Sequence, residues 1–379
     1  MTIAARIVAF AIGAALAVGV LGSALRTVVV PRAESSLLTR AVFGGVRKVF
    51  DLRVRRTSGW EDADRLMARY APVALIILPA VWIVAMLVAF TPMFWALGSS
   101  FPRQAFLRSG SSLLTLGFAT SGDLPGNALS FTAATIGLGL VALLISYLPS
   151  IYAQFSRREV LVGQLDVRAG TPPEAGELLL RALRISWLDQ LDDLWADWDR
   201  WFVETEESHT SNAALPFFRS QHAERSWITA AGCVLDTAAL RASMLDLPRT
   251  YRAELCLRSG YLALRHIADV FDLHYDPAPL PTDPISITRD EFDGVWERLA
   301  AEGAPLRQDR DLAWRDFTGW RVNYDQVLLL LCALVVAPQA PWSSDRVTVR
   351  GRATRRRRRV SRGGRTGGGK PSPAPGRPR

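Results

Sequence analysis

Residues 109–123, SGSSLLTLGFATSGD, are small and hydroxyl-rich, and they stand between two long uncharged runs. Backbone that is not helical can sit at membrane depth only where protein or a water-filled cavity satisfies its N–H and C=O groups. The chemistry open to this stretch is therefore that of backbone carbonyls and hydroxyls around water or an ion. Thr115, Leu116, Gly117 and Phe118 stand at the centre of the stretch.

Other chemistry finds little support. Cys233, Cys256 and Cys332 are widely spaced in apolar helical patterns, with neither a disulfide framework nor a metal spacing. His209, His222, His266 and His274 form no HExxH or His/Cys cluster. His266, near Asp269 and Asp272, reads as a core histidine rather than a catalytic one. No G-x-G-x-x-G, Walker A or G-x-S-x-G signature occurs. No catalytic residue, metal site or cofactor is expected, and the chain is not read as an enzyme.

The elements that must position residues 109–123 are apolar. Nineteen uncharged residues lie between Arg6 and Arg26, 33 between Arg69 and Arg103, and 33 between Asp123 and Arg157. A spanning helix needs about 20 predominantly apolar residues, so three spans are expected. The fourth apolar run, Val327 to Pro338, has 12 residues and reads as a buried helix of a soluble part. The stretch from Arg26 to Arg69 carries ten basic and five acidic residues, and basic loops stay in the cytoplasm. The first span is therefore expected to be uncleaved and to run outside to inside, with everything from about Arg157 onward cytoplasmic. The expected location is the plasma membrane, crossed several times. Ser58-Gly59-Trp60-Glu61 reads as a capping box leading into the second span.

Between spans two and three, Phe101 to Thr115 can form a short helix with Ser99 or Ser100 as N-cap and Pro102 in its first turn. With this plan in place, Phe101 to Tyr152 resembles the pore module of the potassium-channel superfamily. In that family a Thr-Val-Gly-Tyr/Phe-Gly filter supplies rings of carbonyls that replace an ion's hydration shell. Thr115-Leu116-Gly117-Phe118 matches its first four positions with Leu for Val. The resemblance implies a re-entrant pore helix whose negative C-terminal end faces the axis, a monovalent cation (potassium) as the permeant species, and a homo-oligomer, a tetramer. It also implies an inner-helix gating hinge, for which Gly137 and Gly139 stand 20 and 22 residues past Gly117. The chain departs from the family at Ala119 and Thr120, where the filter has Gly and Asp. Asp123 lies out of register for the acidic position. A second reading follows from that departure: a non-conducting membrane scaffold or sensor that retains a pore-like fold.

Beyond Gln164 the pattern is that of amphipathic helices. Thr171-Pro172-Pro173-Glu174 reads as a capping box. One continuous helix is expected to carry Leu180, Leu183, Trp187, Leu191, Leu194, Trp198 and Trp201 on a core face, opposite a solvated face with Asp189, Asp192, Asp193, Asp197 and Asp199. Further helices are expected in Glu224–Leu247 and Tyr251–Leu273, and after a capping box at Thr288–Glu291, with a Pro-rich linker at Asp276–Pro284. Val160 to Ser343 holds 17 basic and 28 acidic residues, so this domain is expected to dock against the basic loop or the tail. The tail, Ser344 to Arg379, has 13 basic residues and one acidic. It reads as disordered, either solvated or in contact with anionic lipid through Arg355, Arg356, Arg357, Arg358 and Arg359. No specific nucleic-acid partner is expected. Only Lys48 and Lys370 among 45 basic residues are lysines, a skew that points to a GC-rich bacterial genome.

The expected fold is thus an all-α membrane protein. A first transmembrane helix occupies residues 1–30, a basic cytoplasmic loop 31–69, and a pore module of helix, re-entrant pore helix with loop, and helix 70–156. An all-α cytoplasmic domain follows at 157–343, then the Arg-rich tail at 344–379.

Overall fold

A computed structural model describes residues 2–28, 36–54, 56, 60–99 and 101–347. The Ser58–Glu61 capping box and the Arg355–Arg359 cluster lie outside the described residues. The chain is all-helical, with no strand among the described residues. In chain order the helices are α1 (Ile3–Val28), α2 (Leu37–Val54), α3 (Trp60–Ala68), α4 (Tyr70–Ala96), α5 (Pro102–Leu113), α6 (Leu124–Ala169), α7 (Ala175–Arg184), α8 (Leu191–Ser211), α9 (Trp227–Met244), α10 (Tyr251–Val270), α11 (Arg289–Ala301), α12 (Arg310–Arg321) and α13 (Asp325–Val335).

Three helical segments are long and apolar enough to cross a membrane: Ile3–Val28, Asp62–Ala96 and Leu124–Ala169. These are the three expected spans. α1 lies along α4, and Gly13 permits the close approach, since a Cβ there would run into the Ala89 carbonyl and Met93. The Trp82 indole donates to Ser23 Oγ at 3.3 Å across the same pair. α5 packs against both α4 and α6. Ala17, Trp82, Met86, Phe90, Leu113 and Leu140 are buried in the core these four helices share.

A second, larger core gathers α7–α13 around Trp195, Trp198, Trp227, Phe292, Phe317 and Leu328, with α13 buried as its sequence implied. It also takes in α2, α3 and the start of α4 through Phe50, Met67 and Tyr70. The docking of the loop on the domain is therefore apolar. One ion pair runs against the sign that net charge suggested, with the cation on the domain: Arg219 pairs with Asp64 at 2.6 Å. Arg47 donates to the Leu334 carbonyl at 2.8 Å and lies over the rings of Tyr70 and Phe217.

α6 ties the two cores together. Its 46 residues extend about 69 Å, more than twice the roughly 30 Å of a bilayer's hydrocarbon. Asp123 caps it by accepting from the Gly126 N–H at 3.3 Å. Past the apolar half, buried Arg158 plugs into the domain. Its guanidinium pairs with Glu159 at 2.8 Å and donates to the carbonyls of Leu215 and Phe218 at 3.0 and 2.8 Å. The Trp201 indole returns a bond to the Arg158 carbonyl at 3.0 Å.

Three local expectations need correction. The tryptophan helix is two helices, α7 and α8, broken where Ser186 takes φ +53° and residues 188–190 form a 3-10 turn. Thr171 does not cap α7. The N-cap is Glu174, which makes no side-chain cap bond and instead pairs with Arg298. α5 likewise starts after Phe101 rather than Ser99 or Ser100, with Pro102 in its first turn. The Thr288 capping box forms as the sequence indicated, with both reciprocal bonds present.

Candidate functional site

α5 is 12 residues long and ends at Leu113 between two long helices. Its serines fix it in place: Ser109 Oγ donates to the Leu87 carbonyl of α4 at 2.9 Å. Ser111 then organises the following turn. Its carbonyl accepts from the N–H groups of Leu116 and Gly117 at 2.8 and 3.3 Å, and its Oγ accepts from the Ala119 N–H at 2.9 Å. The N–H groups of Thr115, Leu116, Gly117 and Ala119 are thus turned back onto α5, that of Thr115 onto the Ser112 carbonyl at 3.1 Å. No described residue donates to the carbonyls of Thr115, Leu116, Gly117 or Phe118. All four residues are exposed, Leu116 and Phe118 by 61% and 64%.

The backbone here is unusual where it bears on function. Gly117 has φ +73°, which glycine adopts freely. Thr115 has φ +54°, a sterically costly conformation for a β-branched residue. Ala119 is not among the positive-φ residues, so a Cβ at that position meets no left-handed backbone. Strained residues cluster at functional sites and persist where the surroundings over-determine them. Ser111 supplies that restraint. The partial negative charge at the C-terminus of α5 points at the same turn.

Gly137 and Gly139 differ sharply in setting. Gly137 is buried where α6 crosses the end of α5, and a Cβ would meet the Leu113 carbonyl carbon at 2.9 Å and its oxygen closer still. Gly139 has nothing within 4 Å of such a Cβ. α6 continues as helix through both. Gly139 belongs to an exposed row with Thr132, Thr135, Ala142 and Ser146, spaced by three and four, so that side of α6 carries small or hydroxyl side chains.

Among the described residues no group of His, Cys, Asp and Glu could hold a metal ion. The aspartates of α8 are dispersed: Asp192 accepts from Thr250 at 2.7 Å, Asp193 lies 3.8 Å from Arg252, and Asp199 accepts from Ser259. His266 is exposed rather than a core residue, and it bonds Glu206 at 2.6 Å rather than Asp269 or Asp272.

Two buried polar clusters escaped sequence reasoning. In one, Arg321 bonds Asp236 at 2.5 Å, Asp325 at 2.8 Å and the Trp342 carbonyl at 2.7 Å, while Tyr324 donates to Asp236 at 2.8 Å. In the other, His209 Nε2 accepts from Arg158 at 3.1 Å. Burial, and next the Arg158 charge, hold its imidazole well below the usual range. Both clusters sit within packed helices and serve the fold.

The chain matches no family model, no curated protein and no solved structure.

Proposed function

We propose that this chain assembles as a homo-oligomer, a tetramer, around a passive pathway for monovalent cations, potassium first among them. Thr115, Leu116, Gly117 and Phe118 contribute its carbonyl lining. The observation that carries this reading is the exposed turn in which Ser111 holds the N–H groups of Leu116, Gly117 and Ala119 while the carbonyls of residues 115–118 have no partner among the described residues. Within a bilayer such carbonyls are costly unless water, a cation or protein satisfies them. Gathered from several copies, they offer a cation an oxygen shell, and the C-terminus of α5 adds negative potential. The small and hydroxyl side chains on the exposed row of α6 leave room for a hydrated ion below that turn.

α6 in this reading acts as the coupling rod. Movement of the helical domain reaches the membrane half through Arg158, because the helix is unbroken between them. The excess of basic residues before the second span favours a cytoplasmic domain at the plasma membrane.

Reconstitution into liposomes under a potassium or sodium gradient tests the proposal. Flux is expected, and it is expected to collapse when Gly117 or Thr115 is changed. Vesicles that stay tight at high protein density would overturn conduction and favour the scaffold reading.

A further inference from the structure

The last turn of α1 and the first turns of α2 carry cations that no described residue neutralises. Ser23 Oγ lies 2.5 Å from Ser36 Oγ, and Thr27 Oγ1 lies 2.8 Å from Thr39 Oγ1. The paired numbers rise together, so the last turn of α1 and the first turn of α2 lie side by side and run in the same direction. Arg26 comes one residue before Thr27, and Arg40 one residue after Thr39. In two such helices a step back on one and a step forward on the other swing to the same side of the pair, because each step turns about 100°. Both arginines are exposed and neither has an ion-pair partner among the described residues.

Their depth is fixed as well. Arg26 ends the uncharged run of the first span, and Arg40 is held level with it by the Thr27–Thr39 bond. Just above, Leu25 and Leu37 are exposed apolar side chains, Leu37 by 80%. Below Arg40, one turn at a time, come Gly44 and then Lys48, and a Cβ at Gly44 would meet nothing within 4 Å. Exposed leucines, then two arginines at one level, then open space and a lysine make a sequence matched to acyl chain, phosphate and outer headgroup. Asp51, the acid of α2, is turned to Arg47 at 3.0 Å and does not oppose them.

We infer that Arg26 and Arg40 form a clamp for the phosphate of an anionic phospholipid in the cytoplasmic leaflet, with Lys48 reaching its headgroup. The site rests on α1 crossing a bilayer and does not depend on conduction. A Lys or Arg at an anionic membrane surface contributes about a fivefold gain in affinity.

The test is binding of phosphatidylglycerol and phosphatidylcholine to the full chain in detergent, read by native mass spectrometry. Arg26→Gln with Arg40→Gln is expected to weaken phosphatidylglycerol about twentyfold to thirtyfold, from about fivefold per charge, and to leave phosphatidylcholine unchanged. Neutralising Arg355 to Arg359 instead is expected to leave the phosphatidylglycerol preference of the clamp in place. Unchanged phosphatidylglycerol affinity in the double variant would overturn the site. So would an equal loss for both lipids, or a preference abolished by the tail variant alone. Liposome flux is read separately, so failure of the clamp leaves the pathway standing and the reverse.

Discussion

Gly137 and Gly139 lie two residues apart on α6, yet alanine should act on them in opposite directions. At Gly137 the added methyl meets the carbonyl group of Leu113 with its carbon at 2.9 Å. Ordinary contact begins near 3.4 Å, so the backbone of α5 or α6 has to move by half an ångström or more. Overpacking of this kind costs about 1–3 kcal/mol, and an obstruction made of backbone belongs at the upper end. At Gly139 the methyl enters open space, and removing a glycine from a helix interior gains about 0.5–1 kcal/mol. Gly137→Ala gains the same propensity, so the two variants should differ by the overpacking cost alone, about 2–3 kcal/mol. Denaturant-induced unfolding of the full chain in detergent reads the difference directly. Gly137→Ala equal to or more stable than Gly139→Ala would mean that α5 does not end against α6 as described. Flux adds a second readout. Gly137→Ala displaces Leu113 and with it the turn at 115–118, so flux should fall together with stability. A flux loss at Gly139→Ala with stability preserved would mark a hinge at that glycine.

Replacing Arg321 by methionine strands the carboxylates of Asp236 and Asp325 in the core. It should cost about 3–5 kcal/mol, and an unshifted denaturant midpoint would rule the network out as a structural element. His209 is held neutral in the fold, whereas an unfolded imidazole titrates near 6.5. The unfolded state then binds more protons, so stability should be full above pH 6.5 or so and fall below it. The slope is at most about 1.4 kcal/mol per pH unit, and His209→Gln should flatten it; a wild-type profile level through that range would contradict the burial. Ser111→Ala removes the acceptor for the Ala119 N–H and should loosen the turn by about 1 kcal/mol, measurable as lower flux without dissociation of the oligomer. Wild-type flux in this variant would show that the Oγ bond does not set the turn.

Much of the architecture was legible from periodicity and charge. Uncharged runs between Arg6 and Arg26, Arg69 and Arg103, and Asp123 and Arg157 marked the three long apolar helices, and the Thr288–Glu291 spacing located the start of α11. The misreadings share a cause, namely that local pattern carries no information about breaks made by tertiary contacts. The apolar spacing of three and four runs straight across Ser186, so the division between α7 and α8 left no trace in the sequence. The change from apolar to charged residues near Ser156 suggested a boundary, although the helix itself continues to Ala169. At the site, Thr-x-Gly-Phe identified the exposed turn. Its dependence on Ser111, the left-handed backbone at Thr115, and the contact between Gly137 and Leu113 needed three dimensions. The pairing of Arg321 with Asp236 joins residues 85 apart in the chain, a separation at which no motif spacing operates.

The proposed pathway requires residues 115–118 of several copies to meet around one axis, and proximity across copies tests that most directly. Leu116→Cys suits the purpose because Cys233, Cys256 and Cys332 are all buried and their thiols are pushed upward by that burial, so the introduced thiol reacts alone. Treatment of the protein in membranes with a short flexible bismaleimide should yield covalent dimers at Leu116→Cys and none at Val84→Cys, an exposed position on α4. Dimers at Val84→Cys with monomer at Leu116→Cys would place the carbonyl turn away from any shared axis and end the case for a pathway there.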